Sequence, residues 1–154
     1  MVLYENVLTL SKNRSMAKDM YHEAVRNALL KDGWTITHDP YRIYEKDKNM
    51  NYEIDLGAER TLAAERGQEK IIVEIKSFLK TSLPNEFHGI LGQYITYVDA
   101  IAFLEFDRSI ILAMPKYAHT RLQEYPFILH LIEKHQMRIL IYDEKEEIIL
   151  AWKM

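Results

Sequence analysis

The sequence predicts an α/β (α+β) fold, a mixed β-sheet flanked by helices, and three observations predict it. Helical and strand-like stretches alternate: one amphipathic helix, a group of short apolar strands, a long helix, a further strand, two helices and a closing hairpin. The strand-like stretches are rich in β-branched and aromatic residues and are bounded by Gly, Pro and Asp. Hydrophobic residues make up 48% of the 154, with only five Gly and four Pro, which suits one sizeable core rather than a disordered chain.

Residues 1–15 show no clean period and Met16 reads as a start, so 1–15 are expected to be an N-terminal extension and 16–154 a single domain. From Ala17 to Lys31, the residues Met20, Tyr21, Ala24, Val25, Ala28 and Leu29 form a stripe at helical spacing, stopped by Asp32-Gly33. Trp34–His38 predicts a short strand ended by Asp39-Pro40. The polar stretch Glu45–Asn51 predicts a mobile loop. Tyr52–Leu56 opens a second strand that Arg60–Glu65 continues. The turn Arg66-Gly67-Gln68-Glu69 then makes the following strand the return arm of an antiparallel hairpin. Ser82-Leu83-Pro84-Asn85 begins a long helix to about Glu105, and Ser109–Met114 is a buried strand closed by Pro115. Helices over about Lys116–Glu124 and Phe127–Gln136, broken at Pro126, precede a hairpin of Arg138–Tyr142 and Glu147–Trp152 around Asp143-Glu144-Lys145-Glu146.

A formal net charge of -3 argues against clamping DNA by general basicity, so any nucleic-acid contact is expected from a local patch. The absence of cysteine excludes disulfides and thiolate metal sites and suits a reducing cytosol. No apolar run approaches the roughly 20 residues that span a bilayer. The start Met1-Val2-Leu3-Tyr4-Glu5 has neither a basic n-region nor a sustained apolar h-region. A cytoplasmic protein without membrane contact is expected.

The residues that point to chemistry lie in Ile71-Ile72-Val73-Glu74-Ile75-Lys76-Ser77-Phe78. Strand side chains alternate, so Glu74 and Lys76 share one face while Val73 and Ile75 share the other. Burying two charges on so apolar a strand is expensive without partners. Upstream, Ile54-Asp55-Leu56 supplies a second carboxylate; downstream, Gln93 and Tyr97 lie one turn apart on the long helix. An acid, an acid-x-Lys strand and a Gln-x-x-x-Tyr helix follow the order of a metal-dependent nuclease core.

Phosphodiester hydrolysis needs a hard cation, and carboxylate oxygens suit Mg²⁺ (or Mn²⁺). Asp55 and Glu74 are the candidate ligands, with the Ile75 carbonyl as a further one. Lys76 is placed to orient the nucleophilic water or stabilise the transition-state phosphate. The Gln93 amide suits a phosphate contact or the positioning of Lys76, with Tyr97 beside it in the substrate-binding set. The plainer reading is an ordinary ion pair on a half-exposed sheet face.

A tight turn at Gly67 pairs Glu74 with about Thr61 and leaves Asp55 beyond it, so Asp55 reaches Glu74 only through a bend, a bulge or a longer loop. Glu59 is the substitute acid and Gly57 the candidate bend. Gly89, Gly92, Thr96 and Ala100 form a smooth stripe that would let the long helix approach the sheet or a nucleic-acid backbone closely. On the first helix Glu23 falls almost opposite the apolar stripe, with His22 on its flank. Glu23 reads as a solvated surface residue, with completion of the metal shell as the alternative. His88, His119, His130 and His135 have no ligand-like spacing. No phosphate-binding glycine loop, serine-nucleophile motif or zinc signature is present.

The runs Tyr21–Leu29, Lys31–Thr37, Asp55–Glu59, Val73–Phe78 and Gly92-Gln93-Tyr94 closely resemble the XisH family, the fdxN element excision-controlling factors of cyanobacteria, over about Met16 to Trp152. The resemblance implies a restriction endonuclease-like PD-(D/E)xK fold. It also implies a part in controlled site-specific excision of a DNA element, with DNA, a site-specific recombinase and a small XisI-like companion protein as partners and a homodimer left open. Position by position, Asp55 matches the family's first acid, Glu74 and Lys76 its E-x-K, and Gln93 with Tyr97 the Q-x-x-x-Y of RecB-like nucleases. Ile54 stands where the motif name has proline. Because fold does not fix function, two readings stand: a Mg²⁺-dependent DNA nuclease, and a catalytically silent nuclease-fold factor that binds DNA or protein.

Overall fold

A computed structural model describes residues 19–47, 50–52, 61–79, 82–104 and 106–153. Helix α1 is described over 19–31, with its Tyr21, Ala24, Val25, Ala28 and Leu29 buried as the period predicts. It is followed by β1 (Thr35–His38), β2 (Ile43–Glu45), β3 (Met50–Tyr52), β4 (Thr61–Arg66) and β5 (Glu69–Ile75). The remainder is α2 (Leu83–Phe103), β6 (Ser109–Pro115), α3 (Lys116–Leu122), α4 (Pro126–Lys134), β7 (Ile139–Asp143) and β8 (Ile148–Lys153).

Six strands form one sheet in the order β1-β4-β5-β6-β7-β8, while β2 and β3 make a separate two-stranded sheet. The connections explain the directions. A two-residue turn with Gly67 at φ 60° joins β4 to β5, so the pair is antiparallel. Parallel neighbours need a crossover, which α2 supplies between β5 and β6, and α3 with α4 between β6 and β7. β1 and β8 close the edges antiparallel.

Both faces of the central strands are covered, which is why β5 and β6 read as nearly continuous apolar runs. On one face Ile72, Leu112, Met114 and Ile139 pack against Phe87, Ile90, Tyr94, Tyr97 and Ile101 of α2. On the other, Val73, Ile75, Ile111 and Leu140 pack against Tyr21, Val25 and Leu29 of α1. The buried Tyr94 hydroxyl donates to the Ile110 carbonyl (3.2 Å) and accepts from the Arg138 N–H (2.9 Å), fixing α2 against the starts of β6 and β7.

The structure departs from the sequence expectations at two places. Part of the stretch expected as a mobile loop is strand: Ile43, Tyr44 and Glu45 pair with Tyr52, Asn51 and Met50. Tyr52 therefore belongs to this hairpin. The two helices expected on either side of a break at Pro126 are present as α3 and α4, with Pro126 as the first residue of α4, where no N–H is needed. Gly89 and Gly92 face outward, and a Cβ at either would meet nothing within 4 Å, so of the expected stripe Ala100 alone lies in the core against the sheet, beside large side chains. Residues 1–15 and 53–56 lie outside the described residues. Among the described residues no helix is long and apolar enough to cross a membrane.

Candidate active site

The Gly67 turn sets the hairpin register, and Thr61 pairs with Glu74 as the turn predicts. On its other side Glu74 pairs with Leu112 of β6. Glu74 thus stands in the middle of the sheet on the face beneath α2, 1% exposed. The Lys76 N–H donates to the Ala113 carbonyl (3.2 Å), which prolongs the ladder beyond Ile75 and keeps the Lys76 side chain on the Glu74 face. Lys76 is also buried, with Nζ 3.5 Å from Glu74 Oε1. The pair is therefore not the half-exposed surface pair of the plainer reading.

The chain leaves the sheet through Phe78, whose φ is 56°. A bulky residue in the left-handed region is strained by about 1–3 kcal/mol and persists only where its surroundings hold it. Burial of the Phe78 ring in the α2-side core does so, together with the Tyr117 hydroxyl, which donates to the Ser77 carbonyl. The strain thus sits two residues beyond Lys76.

Helix α2 brings Tyr97 into the field of Glu74. Burial first, and then the Glu74 charge, push the Tyr97 phenol up to about 12, so it is protonated at neutral pH and available as a donor. Tyr94 is also pushed upward, mainly by burial, with Glu74 adding to the effect and Arg138 opposing it. Gln93 lies one turn before Tyr97 and is half-buried. The structure therefore brings Glu74, Lys76 and Tyr97 together beneath α2, with Gln93 on the adjoining turn.

Asp55, Gly57 and Glu59 lie outside the described residues. Thr61, with which β4 begins, is the register partner of Glu74. Glu23 stands elsewhere. It belongs to α1, on the opposite face, and its side chain is 60% exposed, 3.5 Å from His22 Nδ1. The structure does not bring Glu23 to the pair. Among the described residues no three His, Asp or Glu side chains gather as a metal site.

Sequence reasoning missed two clusters. His22 is buried, with Nε2 2.8 Å from Asp39 Oδ1, while Arg26 Nη1 lies 2.8 Å from Asp39 Oδ2. The only sequence signal is the i, i+4 spacing of His22 and Arg26 on α1, and their shared partner comes from a distant turn. The second is Asp143, which the sequence marks only as part of a turn. It accepts from Lys116 Nζ (2.8 Å) and from the N–H groups of Lys145 (2.9 Å) and Glu146 (3.0 Å), and these bonds lower its carboxyl to about 2.

With this geometry in place, comparisons with known proteins are informative. A family model described as XisH protein matches residues 15–150. The crystal structure of a fdxN element excision controlling factor protein from Anabaena variabilis is similar at 39% identity and a TM-score of 0.73, covering 87% of this chain and 98% of that one. An XisH family protein from Nostoc punctiforme PCC 73102 is similar at 37% identity and a TM-score of 0.74, covering 88% and 99%. A comparison with curated proteins finds no match. Since the family match takes in most of the chain, from α1 into β8 and including Glu74 and Lys76, the chain belongs to the XisH family.

Proposed function

We propose that this protein is a Mg²⁺- or Mn²⁺-dependent DNA endonuclease of the PD-(D/E)xK type that takes part in controlled excision of a DNA element. The observation that carries the reading is the buried Glu74–Lys76 pair on the middle of the sheet, beneath α2. A hairpin, a crossover helix and two parallel strands, with the acid-x-Lys sequence on the central arm, fit a restriction endonuclease-like core. The excision context is suggested by the relative from Anabaena variabilis, a fdxN element excision controlling factor. On this reading the partners are DNA, a site-specific recombinase and a small XisI-like companion.

The donor chemistry fits a hard cation: the Glu74 carboxylate, an oxygen ligand, is held by the sheet between β4 and β6. When bound, Mg²⁺ supplies charge neutralisation at the scissile phosphate and lowers the pKa of a coordinated water. Glu74 would hold it, with Asp55, or Glu59 in its place, as the second carboxylate and the Ile75 carbonyl as a further donor. Lys76 presents a cation to the phosphate, and Tyr97, protonated at neutral pH, donates a hydrogen bond. Gln93 positions the phosphate or the Lys76 amine from the preceding turn.

The test is a cleavage assay in Mg²⁺ and in Mn²⁺ on duplex, nicked and branched DNA, with and without the companion protein. Cleavage by wild type that is lost in Glu74→Gln supports the reading. If no substrate is cleaved even with the companion, the catalytically silent nuclease-fold factor, which suits the acidic net charge, is the better account.

A further inference from the structure

The other end of the sheet carries a second concentration of polar side chains. From Lys70 to Glu74 is roughly 13 Å of strand at about 3.3 Å per residue. At the Lys70 end, cavities of about 460, 380 and 360 Å³ open side by side, and Phe106 and Arg108 line all three. Lys70 and Arg138 each line two of them.

The charges here are unevenly matched. Arg66 meets Asp32 at 2.8 Å and Arg108 meets Glu65 at 3.2 Å. Neither Lys70 nor Arg138 has a carboxylate within ion-pair distance among the described residues; Arg138 Nη1 bonds only the Ser109 hydroxyl, at 2.8 Å. Arg108 is held with its side chain 14% exposed, and its buried Nη1 has no hydrogen-bond partner. A buried donor left without an acceptor is costly, and charge-assisted bonds to an anion are the strongest way to satisfy it. In a chain of net charge -3, two unmatched cations beside the Arg108 guanidinium, which also lies 5.6 Å from the Tyr41 ring centroid, make a local place for an anion. Glu69 and Asp107 on the rim disfavour an extended polyanion and leave room for one phosphate group. The Phe106 ring, 39% exposed beside these cations, offers a face for a planar ring to stack on.

We propose that this cleft binds one nucleotide unit, its phosphate on Lys70, Arg108 and Arg138 and its base against Phe106. The unit comes either from a free mononucleotide or from the phosphorylated end of a DNA strand, and the two differ in affinity order.

The protein carries its own reporter. Its two tryptophans, Trp34 and Trp152, both line the largest of the three cavities, with ring centroids 5.8 Å apart. Tryptophan emission of the full chain is titrated in EDTA, which keeps any divalent-cation chemistry at Glu74 out of the measurement. The ligands are inorganic phosphate, deoxyadenosine monophosphate and a short 5′-phosphorylated single strand. The expected result is a saturable change with the mononucleotide, and about tenfold weaker binding by Lys70→Gln and by Arg138→Gln, as for loss of one charge-assisted contact. Tighter binding of the strand than of the mononucleotide assigns the source to DNA ends, and the reverse order to free nucleotide. Equal affinity for inorganic phosphate overturns the base contact. No saturation with any ligand, or unchanged affinity in the exposed-site variant Lys70→Gln with an unchanged melting temperature, overturns the site.

Discussion

Asp143 and Glu74 are both buried carboxylates with a lysine partner, and they are held in different ways. Asp143 caps its own turn: two backbone N–H groups and the half-exposed Lys116 reach it within 3.0 Å, and its carboxyl falls to about 2. Glu74 lies in the centre of the sheet, its lysine is nearly as buried as itself, and their separation is 3.5 Å. Local backbone donors explain why Asp143 is where it is. The hairpin register alone puts Glu74 where it is, and burial of a charge pair beneath an apolar helix does not stabilise a fold more than hydrophobic residues of similar size would. The difference fits a structural role for Asp143 and supports the proposal that Glu74 is kept for function.

The largest expected effect separates the two lysines. Lys76→Ala should reduce DNA cleavage by about 10²–10³, as for loss of one transition-state donor, while Lys116→Ala leaves the rate per folded molecule unchanged. Equal losses in single-turnover assays would erase the distinction.

The next effect is on stability against pH. The Asp143 carboxyl is depressed from 3.8 to about 2 by its three hydrogen bonds, so its contribution is present above about 3.8 and is lost as pH falls through about 2. Lys116 is raised from 10.5 by the same bond, so its contribution is present below that value and lost as pH rises beyond it. Asp143→Asn should melt below wild type at pH 6, and the gap should close as the pH is lowered from about 4 towards 2. A gap that stays constant over that range would contradict the capping account.

The smallest effect is a titration. Glu74→Gln removes the like charge that helps hold Tyr97 near 12, so the Tyr97 phenol should titrate lower, while burial, the larger cause, keeps it above 10.0. Carbon-13 labelled tyrosine followed by NMR would read this. An unmoved Tyr97 would place it outside the reach of Glu74.

How much of this was legible depended on the range of each interaction. The Gly67 turn, the start of α2 at Ser82-Leu83-Pro84 and the shared face of Glu74 and Lys76 are local signals, and the structure has them as read. The β2–β3 hairpin was not legible because three-residue strands hold too little alternation to stand out in a polar stretch. The glycines of α2 suggested close packing, yet composition does not say which face of a helix turns inward, and Phe87, Ile90 and Tyr94 take that face. His22 looked peripheral because Asp39 lies 17 residues away, at the far end of β1. The contribution of Asp143 came from backbone donors, which no side-chain pattern announces.

Cation-linked stability tests the contrast between the two carboxylates most directly. Melting temperatures of wild type, Glu74→Gln and Asp143→Asn are measured with and without Mn²⁺ at neutral pH, so that each protein is its own reference. At about 100 times the dissociation constant, a ligand that binds only the folded state adds about 2.7 kcal/mol, or roughly 5–10 °C for a domain of this size. The account predicts that shift in wild type and in Asp143→Asn, and none in Glu74→Gln. The same shift in all three proteins, or its loss in Asp143→Asn alone, would contradict it.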